Sequence, residues 1–140
     1  PKLLTSDEHE LKLEYIDGVT FTELLESQER AESVDFAPWE KLVKWLCMLD
    51  KEAGLAPGDC NLRNFILDTR GQVCGIDFEE CGESGILEAA AAVCAFVELY
   101  NPQRRRLKCP FRTFCKRNSP KLRVYPLRSL PSKQLVRRLR

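Results

Sequence analysis

Residues 58–79 read GDCNLRNFILDTRGQVCGIDFE, and the fold class is decided by this stretch. Two short apolar runs within it, FIL and VCGI, flank the turn sequence DTRG, a pattern typical of a β-hairpin over residues 65–76. Because a hairpin returns the chain to its starting point, Asp77 is expected beside the loop that carries Asp59 and Asn64. The sequence therefore predicts that two carboxylates and one amide converge at the open end of the hairpin.

These three polar side chains have the chemistry that phosphoryl transfer requires. The transferred group is anionic, so a divalent metal ion is needed to neutralise it. A carboxylate and an amide oxygen are suitable ligands for a hard cation, and water and substrate phosphates complete its coordination. The second carboxylate can accept or orient the proton of the attacking hydroxyl group. This chemistry needs no histidine, which suits a chain whose single histidine is His9.

The motif as a whole resembles the catalytic loop and metal-binding segment of the protein-kinase-like fold. It stands as Pro57-Gly58-Asp59, four residues, Asn64, a hairpin, then Ile76-Asp77-Phe78. The resemblance is nearest to the small-molecule branch of that fold, which includes the aminoglycoside and choline phosphotransferases and lies near the RIO-type kinases. The family pattern begins His-Gly-Asp, so Pro57 replaces a histidine that mainly supports the loop.

The resemblance implies a role for each matching residue. Asp59 would be the catalytic carboxylate, and Arg63 stands where some kinases place an arginine near the transferred phosphate. Asn64 and Asp77 would hold Mg²⁺. The implied reaction is transfer of the γ-phosphate of ATP to an unidentified substrate that bears a hydroxyl group.

Upstream residues extend the resemblance. Residues 13–18, LEYIDG, are similar to the strand and hinge whose backbone reads adenine, which makes Glu14 and Ile16 the implied nucleotide-binding residues. Predicted helices at 21–32 and 38–53 match the first helices of the family's C-terminal lobe. The implied fold class is therefore α+β and mainly α, a C-terminal lobe with a small catalytic β-hairpin.

The resemblance divides the chain into a kinase-like lobe at residues 1–102 and a tail at 103–140. Because the chain begins at the hinge strand, the glycine-rich loop and the ATP-binding lysine of an N-terminal lobe are expected to be absent. That leaves open whether this chain is active by itself, or whether a partner chain supplies the missing lobe. The alternative function is a non-catalytic lobe remnant whose tail binds RNA or another polyanion.

Periodicity predicts the other elements of the lobe. Apolar and polar residues alternate over 11–16, which indicates a half-buried strand, and Asp17-Gly18 is expected to end it as a turn. Thr20 and Glu23 fit a capping box at the start of the helix at 21–32. Pro38 suits the first turn of the next helix, whose apolar residues recur at three- and four-residue steps until Gly54. Residues 86–99 are apolar nearly all round, which predicts a buried helix.

Composition limits the classes of protein that remain. A chain of 140 residues with 44% hydrophobic and 31% charged residues is typical of one globular domain. It contains no apolar run long enough to span a bilayer and no secretory leader, so a membrane or secreted protein is not expected. The seven cysteines are odd in number and include no CxxC pair, which favours reduced thiols and a cytoplasmic location.

Charge is divided sharply between the two parts of the chain. All 21 acidic residues precede residue 101, whereas 14 of the 22 basic residues and no acidic residue follow it. In the tail at 103–140, Phe111, Phe114 and Tyr125 are interleaved with arginines. This pattern is typical of segments that bind single-stranded nucleic acid by stacking on bases and contacting phosphates. The abrupt loss of helical period near Gln103 favours instead a disordered or out-of-frame tail. A small folded helical subdomain is the third interpretation.

Overall fold

The computed structural model of the chain describes residues 1–83 and 85–100, and within them it has an α+β architecture. Three α-helices accompany two small antiparallel sheets. The elements in chain order are β1 (Leu3–Ser6), β2 (Leu11–Leu13), β3 (Gly18–Thr20), α1 (Phe21–Arg30), α2 (Ala37–Ala53), a 3₁₀ turn (Leu62–Asn64), β4 (Phe65–Asp68), β5 (Val73–Gly75) and α3 (Ile86–Tyr100). The predicted α+β class is confirmed, and the tail at 103–140 lies outside the described residues.

The predicted capping box starts α1. The backbone N–H of Glu23 donates to Thr20 Oγ1 at 3.2 Å, and the N–H of Thr20 donates to Glu23 Oε2 at 2.8 Å. The bond from the Thr20 backbone lowers the pKa of the Glu23 carboxyl. The helix ends at Arg30, earlier than predicted, because the backbone N–H of Ser33 turns back to the carbonyl of Gln28 at 3.2 Å and closes the last turn.

The second helix follows its sequence pattern closely. It runs from Ala37 with Pro38 in its first turn, and the N–H of Gly54, in the left-handed conformation at φ 65°, donates to the carbonyl of Asp50 at 2.9 Å. Trp39, Leu42 and Leu46 share one face, and each is at most 1% exposed. The predicted helix over 38–53 and its apolar face are therefore confirmed.

The three-stranded sheet has the order β3-β4-β5, and its β4–β5 pair is the predicted hairpin. Phe65 pairs with Gly75 and Leu67 with Val73, so the hairpin prediction is confirmed. Gly18, predicted in a turn, instead begins β3 and pairs with Asp68 of the central strand β4. The turn prediction was wrong there because strand pairing with β4, which lies far along the chain, satisfies the Gly18 backbone.

The predicted half-buried strand over residues 11–16 is only partly correct. The observed strand, β2, stops at Leu13 and pairs with β1, which the sequence pattern did not reveal. Leu11 is 68% exposed and Leu13 is 50% exposed. The alternating pattern predicts a buried face, but within the described residues no second layer covers either side of this two-stranded sheet.

One hydrophobic core joins the helices to the β4–β5 hairpin. Its largest fully buried side chains come from α1, α2, the 3₁₀ turn, β4 and α3, namely Phe21, Trp39, Leu42, Leu46, Leu62, Phe65 and Val93. The buried face of α3 confirms the helix predicted over 86–99. Among residues 1–83 and 85–100, no helix combines the length and the apolar character that crossing a bilayer requires.

Candidate active site

The loop before the hairpin, residues 56–64, is anchored to the hydrophobic core by buried apolar side chains. Pro57 and Cys60 are buried, and Leu62 is fully buried in the core. The side chain of Asn61 accepts the backbone N–H of Arg63 at 3.0 Å and so begins the 3₁₀ turn. The intervening polar residues are thereby held at the surface on a rigid support.

Asp59 and Asn64 form the centre of the site. Both side chains are half-buried, and Asn64 Nδ2 donates to Asp59 Oδ2 at 3.0 Å. The other carboxylate oxygen, Oδ1, accepts the backbone N–H of Asn61 at 3.0 Å. Each oxygen of the carboxylate is therefore engaged, which fixes its orientation within the loop.

The bond to Asp59 also determines how the Asn64 amide is turned. An ionised carboxylate can only accept hydrogen bonds, so the NH₂ group of the amide must face it. The amide oxygen, Oδ1, consequently faces away from Asp59. A neutral oxygen donor in that orientation is a suitable ligand for a hard divalent cation.

Strand β5 brings Asp77 close to the loop that carries Asp59 and Asn64. The backbone N–H of Ile76 donates to the carbonyl of Asn64 at 2.9 Å, so the residue before Asp77 is bonded directly to the loop. Asp77 is exposed, and its carboxylate has no hydrogen-bond or ion-pair partner in the described part of the chain. The structure thus pairs Asp59 with Asn64 and places the backbone of Asp77 next to Asn64, at the open end of the hairpin.

The backbone of Asp77 has an unusual conformation. In the part of the chain that the structure describes, two residues other than glycine have left-handed φ values, Glu32 at 50° and Asp77 at 59°. Glu32 follows the end of α1, where this conformation is common. Asp77 follows a strand instead, and left-handed residues away from helix ends are often found at functional sites, where the surrounding structure holds them.

A second set of contacts ties the loop to the segment beyond Asp77. Ala56 and Gly82 exchange two backbone hydrogen bonds, at 2.9 and 3.1 Å. Gly58 lies so close to Glu80 that a Cβ atom at residue 58 would collide with the Glu80 carbonyl oxygen. Cys81 Sγ adds a bond to the Ala56 carbonyl at 3.3 Å. The loop at residues 56–64 and the segment at residues 77–82 are therefore held together by contacts beyond the hairpin itself.

The thiol nearest the site is unsuited to nucleophilic chemistry. Burial raises the pKa of Cys60 to about 12, and the nearby Asp59 and Cys81 add to this effect. Cys60 Sγ donates to the carbonyl of Pro57 at 3.4 Å. The thiol stays protonated at neutral pH, so the reactive groups of the site are its oxygen atoms.

The remaining predicted residues lie at the surface. Arg63 is exposed on the 3₁₀ turn beside Asn64. In the segment predicted as a hinge, the N–H of Glu14 donates at 2.8 Å to the carbonyl of Lys2, the residue before β1. Ile16 is half-buried, and its backbone takes part in no hydrogen bond found among residues 1–83 and 85–100. Its N–H and C=O groups are thus available to a ligand.

The donor set fits magnesium better than a transition metal. Within the described ranges, no three histidine, cysteine, aspartate or glutamate side chains gather into a metal-binding group. A site made of one carboxylate and one amide oxygen supplies only hard ligands, and Mg²⁺ commonly keeps several waters beside one or two protein ligands. Asn64 and Asp77 carry an amide oxygen and a carboxylate, which are donors of the kind that Mg²⁺ prefers.

Sequence reasoning missed three residues that shape the site: Trp45, Ala56 and Gly82. Trp45 could have been identified from the sequence. A large aromatic residue outside the apolar face of α2 is expected to pack against another element. The pairing of Ala56 with Gly82 has no recognisable signal in the sequence.

Comparison of the chain with protein-family models, curated proteins and solved structures gives no match.

Proposed function

We propose that the described part of the chain is the C-terminal lobe of a kinase-like phosphotransferase. The reaction is transfer of the γ-phosphate of ATP to a hydroxyl group on a small-molecule acceptor, in the manner of the aminoglycoside and choline phosphotransferases. The observation that carries the proposal is the meeting of the Asp59–Asn64 pair with a left-handed Asp77 at the end of one hairpin.

Asp59 acts on the acceptor. Its carboxylate is oriented by bonds from Asn61 and Asn64, so it can receive the hydroxyl proton without rearranging. The hydroxyl oxygen forms a bond to the γ-phosphorus while the bond to the bridging oxygen breaks and ADP leaves. The exposed guanidinium of Arg63 is close enough along the chain to offset negative charge on the transferred phosphate.

Asn64 and Asp77 would hold Mg²⁺, which supplies charge neutralisation of the phosphates when bound. The unpartnered carboxylate of Asp77 and the outward-facing amide oxygen of Asn64 are the two ligands. The nucleotide base is assigned to the hinge, where the unbonded backbone of Ile16 is the recognition edge and Glu14 fixes the segment against β1.

Thermal unfolding with and without Mg²⁺-ATP tests the proposal. A ligand at ten times its Kd stabilises the folded state by about 1.4 kcal/mol, which is roughly 6–11 °C in Tm for a domain of this size. We expect this rise in the wild-type chain and in Glu79→Gln, a matched control that removes an exposed carboxylate from the same segment. We expect no rise in Asp77→Asn. An equal rise in all three proteins would contradict the metal assignment.

The division of charge in the sequence favours a second candidate function, binding of RNA or another polyanion by residues 103–140. This function predicts an affinity that falls steeply with salt, since each neutralised phosphate releases counterions. Binding should need the tail arginines and be unaffected by Asp77→Asn. If removal of residues 103–140 left RNA affinity unchanged, this candidate would be excluded.

A further inference from the structure

An aromatic contact from α2 reaches the chain on both sides of Asp77. The Trp45 ring lies 5.8 Å from the Phe65 ring and 6.1 Å from the Phe78 ring, measured between centroids. It also covers Gly75, where an added Cβ would lie 2.5 Å from Trp45 Cη2 and 2.8 Å from Phe78 Cζ. Trp45, Gly75 and Phe78 thus form one packed unit, which we name the aromatic clamp.

The clamp explains how a left-handed aspartate is maintained. A residue with a Cβ disfavours this conformation, so its neighbours must hold it in place. On one side, Ile76 is bonded to the Asn64 carbonyl. On the other side, Phe78 is 41% exposed, and its ring packs against Trp45. Without Trp45, the Phe78 ring would lose this contact, and the chain after Asp77 would be held only by the contacts that residues 80–82 make with the loop.

We propose that Trp45 is a positioning residue that directs the Asp77 carboxylate toward Asn64, and that this controls metal affinity. The inference rests on the proposed function, because it takes Asp77 as a metal ligand. Trp45 does not act on the substrate itself. It acts through Gly75 and Phe78, and its loss lets the carboxylate leave the arrangement that the amide oxygen of Asn64 completes.

The sequence contains a matched control, because its only other tryptophan, Trp39, lies on the same helix. Trp39 is fully buried, packs edge-on against Phe21 at 5.3 Å and donates from Nε1 to Gln28 at 3.1 Å. Both of these partners belong to α1, and neither is part of the clamp. A substitution at Trp39 therefore lowers stability without changing the surroundings of Asp77.

The test is direct measurement of Mn²⁺ binding by electron paramagnetic resonance of the free ion, which needs neither nucleotide nor acceptor. Trp45→Ala should weaken Mn²⁺ affinity about tenfold, the lower end of what loss of a residue supporting a metal ligand causes. Trp45→Phe should restore affinity to within about twofold of wild type. Trp39→Phe should lower Tm but leave Mn²⁺ affinity unchanged.

Phe78→Ala tests the clamp from its other side, at an exposed residue whose replacement leaves the core intact. It should weaken Mn²⁺ binding as much as Trp45→Ala, and the double variant should show little further loss, because both remove one contact. Together these results support the positioning role.

The outcomes separate this inference from the proposed function. If wild type binds Mn²⁺ no better than Asp77→Asn, the metal assignment fails and the positioning role fails with it. If wild type binds through Asp77 but Trp45→Ala and Phe78→Ala bind equally well, only the positioning role is overturned. Equal losses in Trp45→Ala and Trp39→Phe would mean general destabilisation, which also overturns it.

Discussion

Gly58→Ala tests the contact between the catalytic loop and the segment that follows Asp77. A Cβ atom at residue 58 would overlap the carbonyl oxygen of Glu80 and lie 2.9 Å from its carbonyl carbon. Carbon atoms in favourable contact are about 3.5–4.0 Å apart, so the two segments must separate by roughly 1 Å. The obstacle is backbone, which cannot rotate away as a side chain could.

The expected cost follows from the overpacking and from the hydrogen bonds nearby. Forcing an extra methyl group into a packed contact typically costs about 1–3 kcal/mol. Separation of the segments also stretches the paired bonds between Ala56 and Gly82, now 2.9 and 3.1 Å. We expect a loss of about 2 kcal/mol, which is a fall in Tm of roughly 8–16 °C for a domain of about 100 residues. The affinity for Mn²⁺ should fall as well, because Asp59 and Asn64 move away from Asp77.

Gly82→Ala provides the control for this experiment. Gly82 lies in the same contact, its backbone is outside the left-handed region, and a Cβ there would meet no described atom within 4 Å. Alanine at such a position restricts the unfolded chain and is expected to stabilise the protein by about 0.4–1 kcal/mol. Circular dichroism melting curves of the two variants make the comparison. Equal Tm values would refute the reasoning, because they would show that the loop and the segment are not in contact.

Four further predictions concern stability, and denaturant unfolding at a series of pH values checks them. Thr22→Val should stabilise the protein by about 1 kcal/mol, because the buried Thr22 hydroxyl has no hydrogen-bond partner among the described residues. Thr20→Val should destabilise it by about the same amount, because the N-cap of α1 is lost. The bond from the Gln72 N–H lowers the pKa of Asp68, so its contribution is present above the ordinary aspartate pKa and is lost as pH falls below about 4. Asp68→Asn should therefore be less stable at neutral pH and vary less with pH in acid. Burial raises the pKa of Cys60 to about 12, so stability should fall by up to about 1.4 kcal/mol per pH unit above roughly pH 9, and Cys60→Ser should remove this slope.

Each of these predictions has a clear contrary result. A change of the same sign at Thr20 and Thr22 would contradict their assigned environments. An acid transition that is unchanged by Asp68→Asn would show that its hydrogen bonds in the hairpin turn do not favour the ionised carboxylate. Ready labelling of Cys60 by a thiol reagent in the folded protein at pH 8 would contradict its burial.

The helices could be predicted well because their signals are local. The bonds between Thr20 and Glu23 join residues within one turn, and the end of α2 at Gly54 depends on the conformation of a single glycine. The apolar face of α2 is visible as a spacing in the sequence. The end of α1 was predicted less well, because its closing bond involves Ser33, a polar residue with no distinctive pattern.

The strands were predicted less consistently than the helices, because only the β4–β5 hairpin has a local signal. The β4–β5 hairpin connects neighbours through a short turn, and its turn residues marked it. Strands β1 and β3 have four and three residues, too few to show a period, and β3 exists because β4 pairs with it. The exposure of Leu11 and Leu13 could not be read from alternation, which predicts a face but not whether anything covers it.

The sequence alone determined which polar groups the candidate site contains and in what order: a carboxylate, an amide five residues later and a second carboxylate beyond a hairpin. Tertiary structure decided how these groups are oriented. The orientation of the Asn64 amide depends on its contact with Asp59, and the left-handed backbone of Asp77 depends on the bond from Ile76 to Asn64 and on Trp45. These arrangements come from contacts between segments that are distant along the chain, and packing sets such contacts where local preference cannot.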